Sequence, residues 1–294
     1  MAKQAVKKGA GIKKGGLAAF KEKNGLVYKP GESKITTSAS NADKPMEWIT
    51  MPKAFQQATM LPGIPQGHVV SVIGHSNVGK STLINHAMVS AQRQGLIPVY
   101  FDTENAFSFK YAVDMGLKAD PVWDDVEVEH VDSETGEVSY TTEKQIVNWD
   151  GDFLYYNTAI LADQYGQWDY AAGKETSKKR KVAVIEDIVK CMNDLMDAQD
   201  NGEIEQGFLF IWDSVGSISG YKAYKSGTGN NMFDAGTISA AFNMIVNNRI
   251  PSSKKMSSSY TNTFLYVNKV WMDSMTAPMA PAIMQTKGGK SLKY

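Results

Sequence analysis

The stretch "GHSNVGKST", residues 74–82, combines glycines, a lysine and hydroxyl side chains at a spacing that suits phosphate binding. Gly74, four further residues, Gly79, Lys80 and Ser81 occupy every fixed position of the Walker A signature. Glycines let successive backbone N–H groups turn toward phosphates, and the following helix adds the positive end of its dipole. We expect Lys80 to reach the terminal phosphates and Ser81 to bind Mg²⁺. The predicted nucleotide-binding residues are Gly74, His75, Ser76, Asn77, Val78, Gly79, Lys80, Ser81 and Thr82.

Two acidic residues follow apolar runs of strand length. "FLFIW" leads into Asp213, which has the Walker B form in which a carboxylate at a strand end supports Mg²⁺. "IPVYFDTE" ends in Glu104, which is placed to polarise a water molecule for attack on the terminal phosphate. Open α/β sheets bind ligands at the carboxyl ends of their strands. We therefore expect the ends of strands 68–74, 99–102, 208–213 and 263–268 to meet at one rim, with Lys80 and Glu104 as the catalytic pair.

Two further segments have the composition of nucleic-acid contacts. The loop from Ser219 to Met232 combines glycines with Tyr221, Lys222, Tyr224 and Lys225, which suits a single strand. An ordinary surface loop is the alternative. Residues 271–287 are more apolar than an ordinary surface loop, yet their prolines and glycines disfavour a core helix. We therefore predict that this segment contacts a partner. Its apolar residues are Trp271, Met272, Met275, Met279, Ile283 and Met284.

The surrounding pattern predicts an α/β domain. "HVVSVIG" reads as a buried strand, and "KSTLINHAMVSAQRQG" as a helix with one apolar face. "VAVIEDIVKCMNDLMDAQDNG" predicts an amphipathic helix before the strand that ends at Asp213. Within residues 118–180, the alternation in "VEVEHVDSETGEVSYTTE" predicts a β-hairpin, and "KETSKKRK" a basic loop.

Composition limits the classes of partner and compartment. The 31 lysines and arginines balance 31 aspartates and glutamates, so a charged partner must meet a local patch. Residues 1–34 form such a patch, with nine lysines against two glutamates. They are either a solvated tail or a basic arm that touches DNA or a neighbouring subunit. The single cysteine, Cys191, and the lack of a long apolar run favour a cytoplasmic protein without a membrane partner.

The order of these motifs resembles the RecA/UvsX recombinase family from about Ile64 onward. "PGIPQGHVVSVIGHSNVGKSTL" resembles its entry strand and Walker A, "VYFDTENAFSFKYAVDMGL" its strand with the catalytic glutamate, and "FLFIWDSVGSI" its Walker B. "FLYVNKV" and the closing "TKGGKSLKY" resemble the strand before the second DNA loop and that loop's glycine pair. The resemblance implies a RecA-like P-loop NTPase core with a mostly parallel central sheet, flanked by helices, at residues 46–294. Residues 1–45 would be a flexible basic arm and residues 118–180 a variable insertion.

The same resemblance implies a DNA-dependent ATPase that uses ATP and Mg²⁺. Such a protein assembles head to tail into filaments on single-stranded DNA and promotes homologous pairing and strand exchange in recombination and repair. Tyr111 would stack on adenine, and DNA loops would fall at residues 217–234 and 270–289. The implied DNA contacts in the second loop are Lys269, Trp271, Met275, Lys287, Gly288 and Gly289. The small size and the long insertion favour a phage-encoded member, active in the host cytoplasm.

The chain departs from the family pattern at three places. Lys269 follows Asn268 where bacterial RecA carries a glutamine that senses the terminal phosphate. Ser108 stands where an acidic adenine contact is usual. The sequence closes on "GGKSLKY", which in the family opens a further core strand, so the later strands of the core are expected to be missing.

Two other classes of protein fit the motifs. A hexameric helicase of the DnaB type shares the core, although the glycine pair after a methionine-rich segment favours the recombinase. A protein that binds DNA or caps filaments without hydrolysing ATP is the alternative from a different class.

Overall fold

A computed structural model describes residues 45–131, 133, 135–136, 138–227, 240–254, 260–273 and 283–286, with the backbone alone for 271–273 and 283–286. The predicted arm at residues 1–44 lies outside this part, as do Met275, Lys287, Gly288 and Gly289. Of the described helices, none combines the length and apolarity that a membrane span requires.

Twelve strands are described. They are β1 (Trp48–Thr50), β2 (Gly63–Pro65), β3 (Val69–Gly74), β4 (Ile97–Asp102), β5 (Asp120–Val131), β6 (Val138–Asp150), β7 (Leu154–Asn157), β8 (Trp168–Asp169), β9 (Lys174–Glu175), β10 (Phe208–Asp213), β11 (Thr263–Asp273) and β12 (Ile283–Thr286).

The described helices alternate with these strands. They are α1 (Lys53–Thr59), α2 (Lys80–Arg93), α3 (Phe109–Asp114), α4 (Thr158–Tyr165), α5 (Ile185–Asp200), α6 (Tyr221–Ser226) and α7 (Ile250–Ser252). A helical stretch at 240–244 continues through a π-helical turn, Ile245–Arg249, into α7.

Five parallel strands form the central sheet in the order β3-β11-β10-β4-β7. β12 adds an antiparallel partner to the last four residues of β11. Side chains of β10 alternate between two apolar layers, as strand geometry requires. Phe208, Phe210 and Trp212 pack on the side of α5, whereas Leu209 and Ile211 pack on the side of α2. The predicted fold class, a mostly parallel α/β sheet flanked by helices, is confirmed.

The two helices that cover the sheet follow from local sequence signals. In α2, Ile84, Ala87, Met88 and Ala91 recur at helical spacing and are buried. At the start of α5, the Asp187 carboxylate accepts a hydrogen bond from the Val184 backbone N–H at 2.8 Å, which satisfies a donor that the helix leaves unpaired.

Three local predictions differ from the structure. "HVVSVIG" forms the edge strand β3, which pairs with β11, so its side chains are half-buried and Ile73 is 52% exposed. Part of the predicted first DNA loop is helical, because α6 lies within it. Part of the predicted second loop is a pair of strands, because β11 runs on to Asp273 and pairs with β12.

The predicted hairpin in the insertion is present and is longer than the pattern indicated. β5 and β6 pair from Asp120 with Asp150 to Val131 with Val138. Almost every side chain on both faces is exposed.

Candidate nucleotide-binding site

The phosphate loop, residues 75–79, connects β3 to α2. Asn77 and Gly79 adopt left-handed backbone conformations, with φ of 61° and 89°, and these reverse the chain into the helix. The Lys80 side chain turns back over the loop, where its ammonium donates hydrogen bonds to the carbonyl of Gly74 at 3.1 Å and to that of His75. The loop therefore curves around a fixed positive charge.

Glu104 follows β4 and is held by Ser214, directly after β10, and by Lys269, within β11. Its Oε2 accepts a hydrogen bond from the Lys269 ammonium at 2.7 Å, and its Oε1 accepts one from the Ser214 hydroxyl. Burial by itself would raise the pKa of Glu104. The hydrogen bonds from Lys269 and Ser214, together with the charges of Lys269 and Lys80, outweigh burial and lower this pKa. Glu104 is therefore ionised at neutral pH.

Asp213 ends β10 and lies in register with Asp102 of β4. Its Oδ2 accepts a hydrogen bond from the Tyr100 hydroxyl at 2.9 Å. Burial raises the pKa of Asp213; the Tyr100 bond opposes this, and the negative charges of Glu104 and Asp102 raise the pKa further. A cation at this place would relieve the electrostatic cost of the buried carboxylate.

Buried polar contacts fix the ends of β4 and β10 to each other. The Thr103 hydroxyl accepts a hydrogen bond from the Trp212 indole N–H at 3.0 Å and lies 3.1 Å from the Asp213 carbonyl oxygen, to which it donates. The Asp102 carboxylate accepts from the backbone N–H of Phe107 and from the Tyr155 hydroxyl, both at 2.9 Å. These contacts hold the loop that carries Glu104.

Lys80, Glu104, Asp213 and Lys269 line one pocket of about 480 Å³, which we call the phosphate-loop pocket. The parallel strands end at the same rim, because strand direction and register place Gly74 beside Lys269 and Asp102 beside Asp213. Gly74 at the end of β3, and His75 and Val78 of the phosphate loop, do not line the pocket. The side chains that define it are those of Lys80, Ser81, Thr82, Glu104, Asp213 and Lys269.

Tyr111 lies beside this pocket on α3. Its hydroxyl is 3.2 Å from the Thr82 hydroxyl, and its side chain is 44% exposed. Ser108 caps α3 by accepting a hydrogen bond from the Tyr111 backbone N–H at 3.3 Å. The residue that departs from the family pattern thus orients the segment that carries Tyr111.

Sequence reasoning missed three of these contacts. Lys269 was expected to contact DNA, but its ammonium pairs with Glu104 inside the phosphate-loop pocket. Its position directly after a strand of the same rim was the available signal. Ser214 and Tyr100 gave no signal, because their roles depend on which strands are neighbours.

The candidate DNA residues on α6 separate into two groups. Tyr221 is 6% exposed, because it packs against Tyr170 and under the guanidinium of Arg180, so its ring offers no open face for stacking. Lys222, Tyr224 and Lys225 are exposed on the same helix. In the second candidate segment, Trp271 lies on β11.

The geometry defines an α/β protein whose phosphate-loop pocket lies at one rim of a parallel sheet. In a comparison with protein families, residues 29–146 match the model of the RecA N-terminal domain, which is about two fifths of the chain. This range contains the phosphate loop and Glu104 but ends before Asp213.

Curated RecA proteins are similar to part of this chain. Protein RecA of an Arthrobacter species is 34% identical over 91 residues, which are 31% of this chain and 26% of the relative. Protein RecA of Latilactobacillus sakei is 33% identical over 102 residues, 34% of this chain and 27% of the relative. Protein RecA of Acholeplasma laidlawii is 35% identical over 91 residues, 31% of this chain and 28% of the relative.

The predicted resemblance to the RecA family is therefore confirmed. The chain spans less than a third of the length of the curated relatives it matches. A phage origin stays a prediction.

Proposed function

We propose that this protein is a DNA-dependent ATPase of the recombinase type. In this proposal it binds ATP with Mg²⁺, assembles with further copies of itself on single-stranded DNA, and promotes homologous pairing and strand exchange. Hydrolysis of ATP would be coupled to release from DNA rather than required for binding.

One observation carries the proposal: Lys80, Glu104, Asp213 and Lys269 converge on a single pocket. They come from four separate segments of the chain, at the carboxyl ends of the parallel strands where α/β proteins bind ligands. A glycine turn with a purely structural role would leave this set of charges unexplained.

Lys80 and Glu104 have the chemistry that phosphate-bond hydrolysis needs. The Lys80 ammonium lies over the loop, where it can neutralise phosphate charge. Glu104 is ionised because its pKa is lowered, so it can orient a water molecule and accept its proton. In the described structure its carboxylate bonds to Ser214 and Lys269, which keep it directed into the pocket.

The residues that would hold Mg²⁺ are Ser81 and Asp213. Mg²⁺ prefers oxygen ligands, and the hydroxyl and the carboxylate both line the pocket. Burial and the charges of Glu104 and Asp102 raise the pKa of Asp213 although the Tyr100 hydrogen bond and Lys269 oppose this, so a further cation beside the carboxylate would favour its ionised form, which supports a metal-binding role. When bound, Mg²⁺ would neutralise charge on the phosphate oxygens.

Binding of single-stranded DNA is supported by exposed lysines and a tyrosine on α6. Lys222, Tyr224 and Lys225 combine positive charge with an aromatic ring that is 41% exposed in Tyr224. Such a combination suits phosphates and unstacked bases. The predicted second DNA segment begins on β11, directly after Lys269. It is therefore continuous with the residue that pairs with Glu104.

The decisive experiment measures ATP turnover by the full chain with and without single-stranded DNA, followed by electron microscopy. We expect DNA to stimulate turnover and the protein with ATP and DNA to form filaments. Lys80→Ala should abolish both. Lys110→Ala, on the exposed surface of α3, is the control and should leave both unchanged.

Three results would contradict parts of the proposal. Closed rings would favour a helicase, and binding of DNA without turnover would favour a protein that caps filaments. Turnover that DNA does not stimulate would remove the recombinase function while leaving an ATPase.

A further inference from the structure

A second pocket lies between the insertion and helix α6. It has a volume of about 490 Å³ and shares none of its lining residues with the phosphate-loop pocket. One wall comes from residues 166–180, which include β8 and β9, and the other from α6. We call it the Trp168 pocket and define it by Trp168, Lys178, Lys179, Arg180, Tyr224 and Lys225.

The back of the Trp168 pocket is fixed by Arg180, which is 8% exposed. Its guanidinium pairs with the fully buried Asp187 at 2.7 Å and donates to the carbonyls of Tyr165 and Val182 at 3.0 and 2.9 Å. The same guanidinium lies 6.0 Å from the centre of the Tyr224 ring. Arg180 thus places a positive charge beside the Tyr224 ring of α6.

An ion pair between α6 and residues 166–180 forms the other side of the Trp168 pocket. The Lys225 ammonium lies 3.2 Å from Asp169, which directly follows Trp168. The pKa of Asp169 falls to about 2, chiefly because its carboxylate accepts a hydrogen bond from the Ala172 backbone N–H, with further contributions from Lys225 and Tyr221. An ion pair near the protein surface therefore links the two walls.

The lining is cationic and aromatic. Lys178, Lys179 and Lys225 are exposed at the mouth, where Asp169 is the acidic residue of the lining. Among the ion pairs of the described residues, the Lys179 ammonium pairs with Asp163 and the Lys225 ammonium with Asp169, whereas none includes Lys178. Trp168 and Tyr224 add partly exposed rings, and the Lys190 ammonium lies 4.6 Å from the centre of the Trp168 ring. A ligand that satisfies this lining carries both negative charge and a flat aromatic group.

We propose that the Trp168 pocket binds a nucleotide unit of single-stranded DNA. A base would stack on Tyr224 or Trp168 while Lys178 neutralises an adjoining phosphate, and proteins that bind single strands without reading sequence combine stacking and positive charge in this way. The volume lies within the range of sites for small ligands. This site rests on the proposed function, and it adds residues of the insertion to those expected from the two DNA loops.

The test is fluorescence anisotropy of a labelled oligothymidylate with the full chain, at several salt concentrations. Tyr224→Ala and Lys178→Glu should each weaken binding by about tenfold, since stacking and phosphate contacts have effects of this order. Lys178→Glu should also reduce the salt dependence by about one released ion. The matched controls, Tyr140→Ala and Lys144→Glu on the exposed hairpin, should bind within about twofold of the parent.

A second arm separates a strand from a free nucleotide. In a Lys80→Ala background, which disables the phosphate-loop pocket, free deoxythymidine monophosphate should quench tryptophan fluorescence far less effectively than the oligonucleotide. Equal effects of the two would overturn the assignment to a strand and leave a site for small nucleotides.

The outcomes distinguish this site from the proposed function. If the parent binds DNA and the two pocket variants bind as tightly as it does, the Trp168 pocket is not a DNA site and the recombinase function stands. If the parent binds no DNA, the recombinase function fails first. Circular dichroism of each variant checks folding, and a fluorescent ATP analogue should bind Tyr224→Ala, Lys178→Glu and the two hairpin controls as it binds the parent.

Discussion

The phosphate-loop pocket and the β5–β6 hairpin differ in how far apart their contacting residues lie in the sequence. Glu104 bonds to Ser214 and Lys269, which are separated from it by 110 and 165 positions. In the hairpin, the most widely separated pair, Asp120 and Asp150, spans 30 positions. The phosphate-loop pocket is thus assembled from distant segments whose supporting side chains, such as Trp212 and Asp102, are buried. The hairpin is built from one continuous stretch whose side chains are exposed on both faces.

The two regions also use charge differently. In the pocket, acidic groups face lysines and hydrogen-bond donors at short distance, so single contacts change a pKa. On β5, five acidic residues lie in contact with solvent, where water screens them from one another. Tertiary contacts in the pocket thus give its acidic residues properties that the same residue types lack on the exposed hairpin.

The largest expected effect is that of Glu104→Gln, which removes the proposed base from the pocket. Turnover of ATP should fall by about 10² to 10⁴, because this is the usual contribution of a positioned acid–base group. ATP binding should persist, and the variant should remain on DNA with ATP unspent. Steady-state turnover and DNA dissociation measure this.

Glu129→Gln on β5 is the matched control from the hairpin, and it should hydrolyse ATP as the parent does. Normal hydrolysis by Glu104→Gln would remove Glu104 from the mechanism.

Replacement of one tryptophan in each region tests how much that region contributes to the stability of the protein. Trp212 is fully buried, stacks on Phe242 with 5.1 Å between ring centres, and donates a hydrogen bond to Thr103. Trp212→Ala should lower the free energy of unfolding by about 3–5 kcal/mol. Trp123 on the hairpin is 55% exposed, and Trp123→Ala should change the free energy of unfolding by about 0.5 kcal/mol.

Urea unfolding followed by circular dichroism gives both values. Similar losses for the two variants would mean that the hairpin is packed against another part of the protein.

Lys269→Met tests the electrostatics of the pocket through pH. Lys269 helps to lower the pKa of Glu104 against the effect of burial, so its removal should raise that pKa. The ionised carboxylate is the proposed base, and activity falls as the pH drops through its pKa. The acid limb of the pH–turnover profile should therefore move to higher pH, with a smaller loss at neutral pH than Glu104→Gln causes.

Lys110→Met, an exposed lysine of α3, is the control and should leave the profile in place. An acid limb that stays fixed, or moves to lower pH, in Lys269→Met would show that the Lys269–Glu104 pair does not act on the reaction.

The smallest effect is expected from excision of the hairpin. Val122 pairs with Asn148, so residues 123–147 can be replaced by Asn-Gly, a dipeptide that favours a two-residue hairpin turn. The free energy of unfolding should change by less than about 1 kcal/mol, because an isolated two-stranded hairpin is only marginally stable in water. ATP turnover without DNA should stay within about twofold of the parent. A tenfold loss of turnover would place the hairpin among the elements that support the pocket.

Local features of the sequence were sufficient for the main elements and for the phosphate loop. Glycine spacing, helical periodicity and apolar runs act over a few residues, so α2, α5 and the strands that end near Asp102 and Asp213 could be predicted from them. The same holds for the hairpin, because alternation and a turn lie within one stretch.

Burial of individual residues was predicted less well, since it depends on neighbours in space. "HVVSVIG" has the composition of a central strand, yet its place at the sheet edge leaves Ile73 half-exposed. Tyr221 has the composition of a DNA contact, yet Arg180 and Tyr170 enclose it. The sequence predicted a basic loop and a candidate DNA loop but not that they form one pocket, because these two walls of the Trp168 pocket are about 50 residues apart in the chain.

The sequence by itself therefore determined which residues could do chemistry: Lys80, Glu104 and Asp213 follow strands in a pattern that is readable from spacing alone. Only the tertiary structure decided that Lys269 pairs with Glu104 and that Tyr100 bonds to Asp213. The physical reason is strand order. β11 lies between β3 and β10, and this arrangement, which results from packing of both faces of the sheet, sets which side chains meet at its rim.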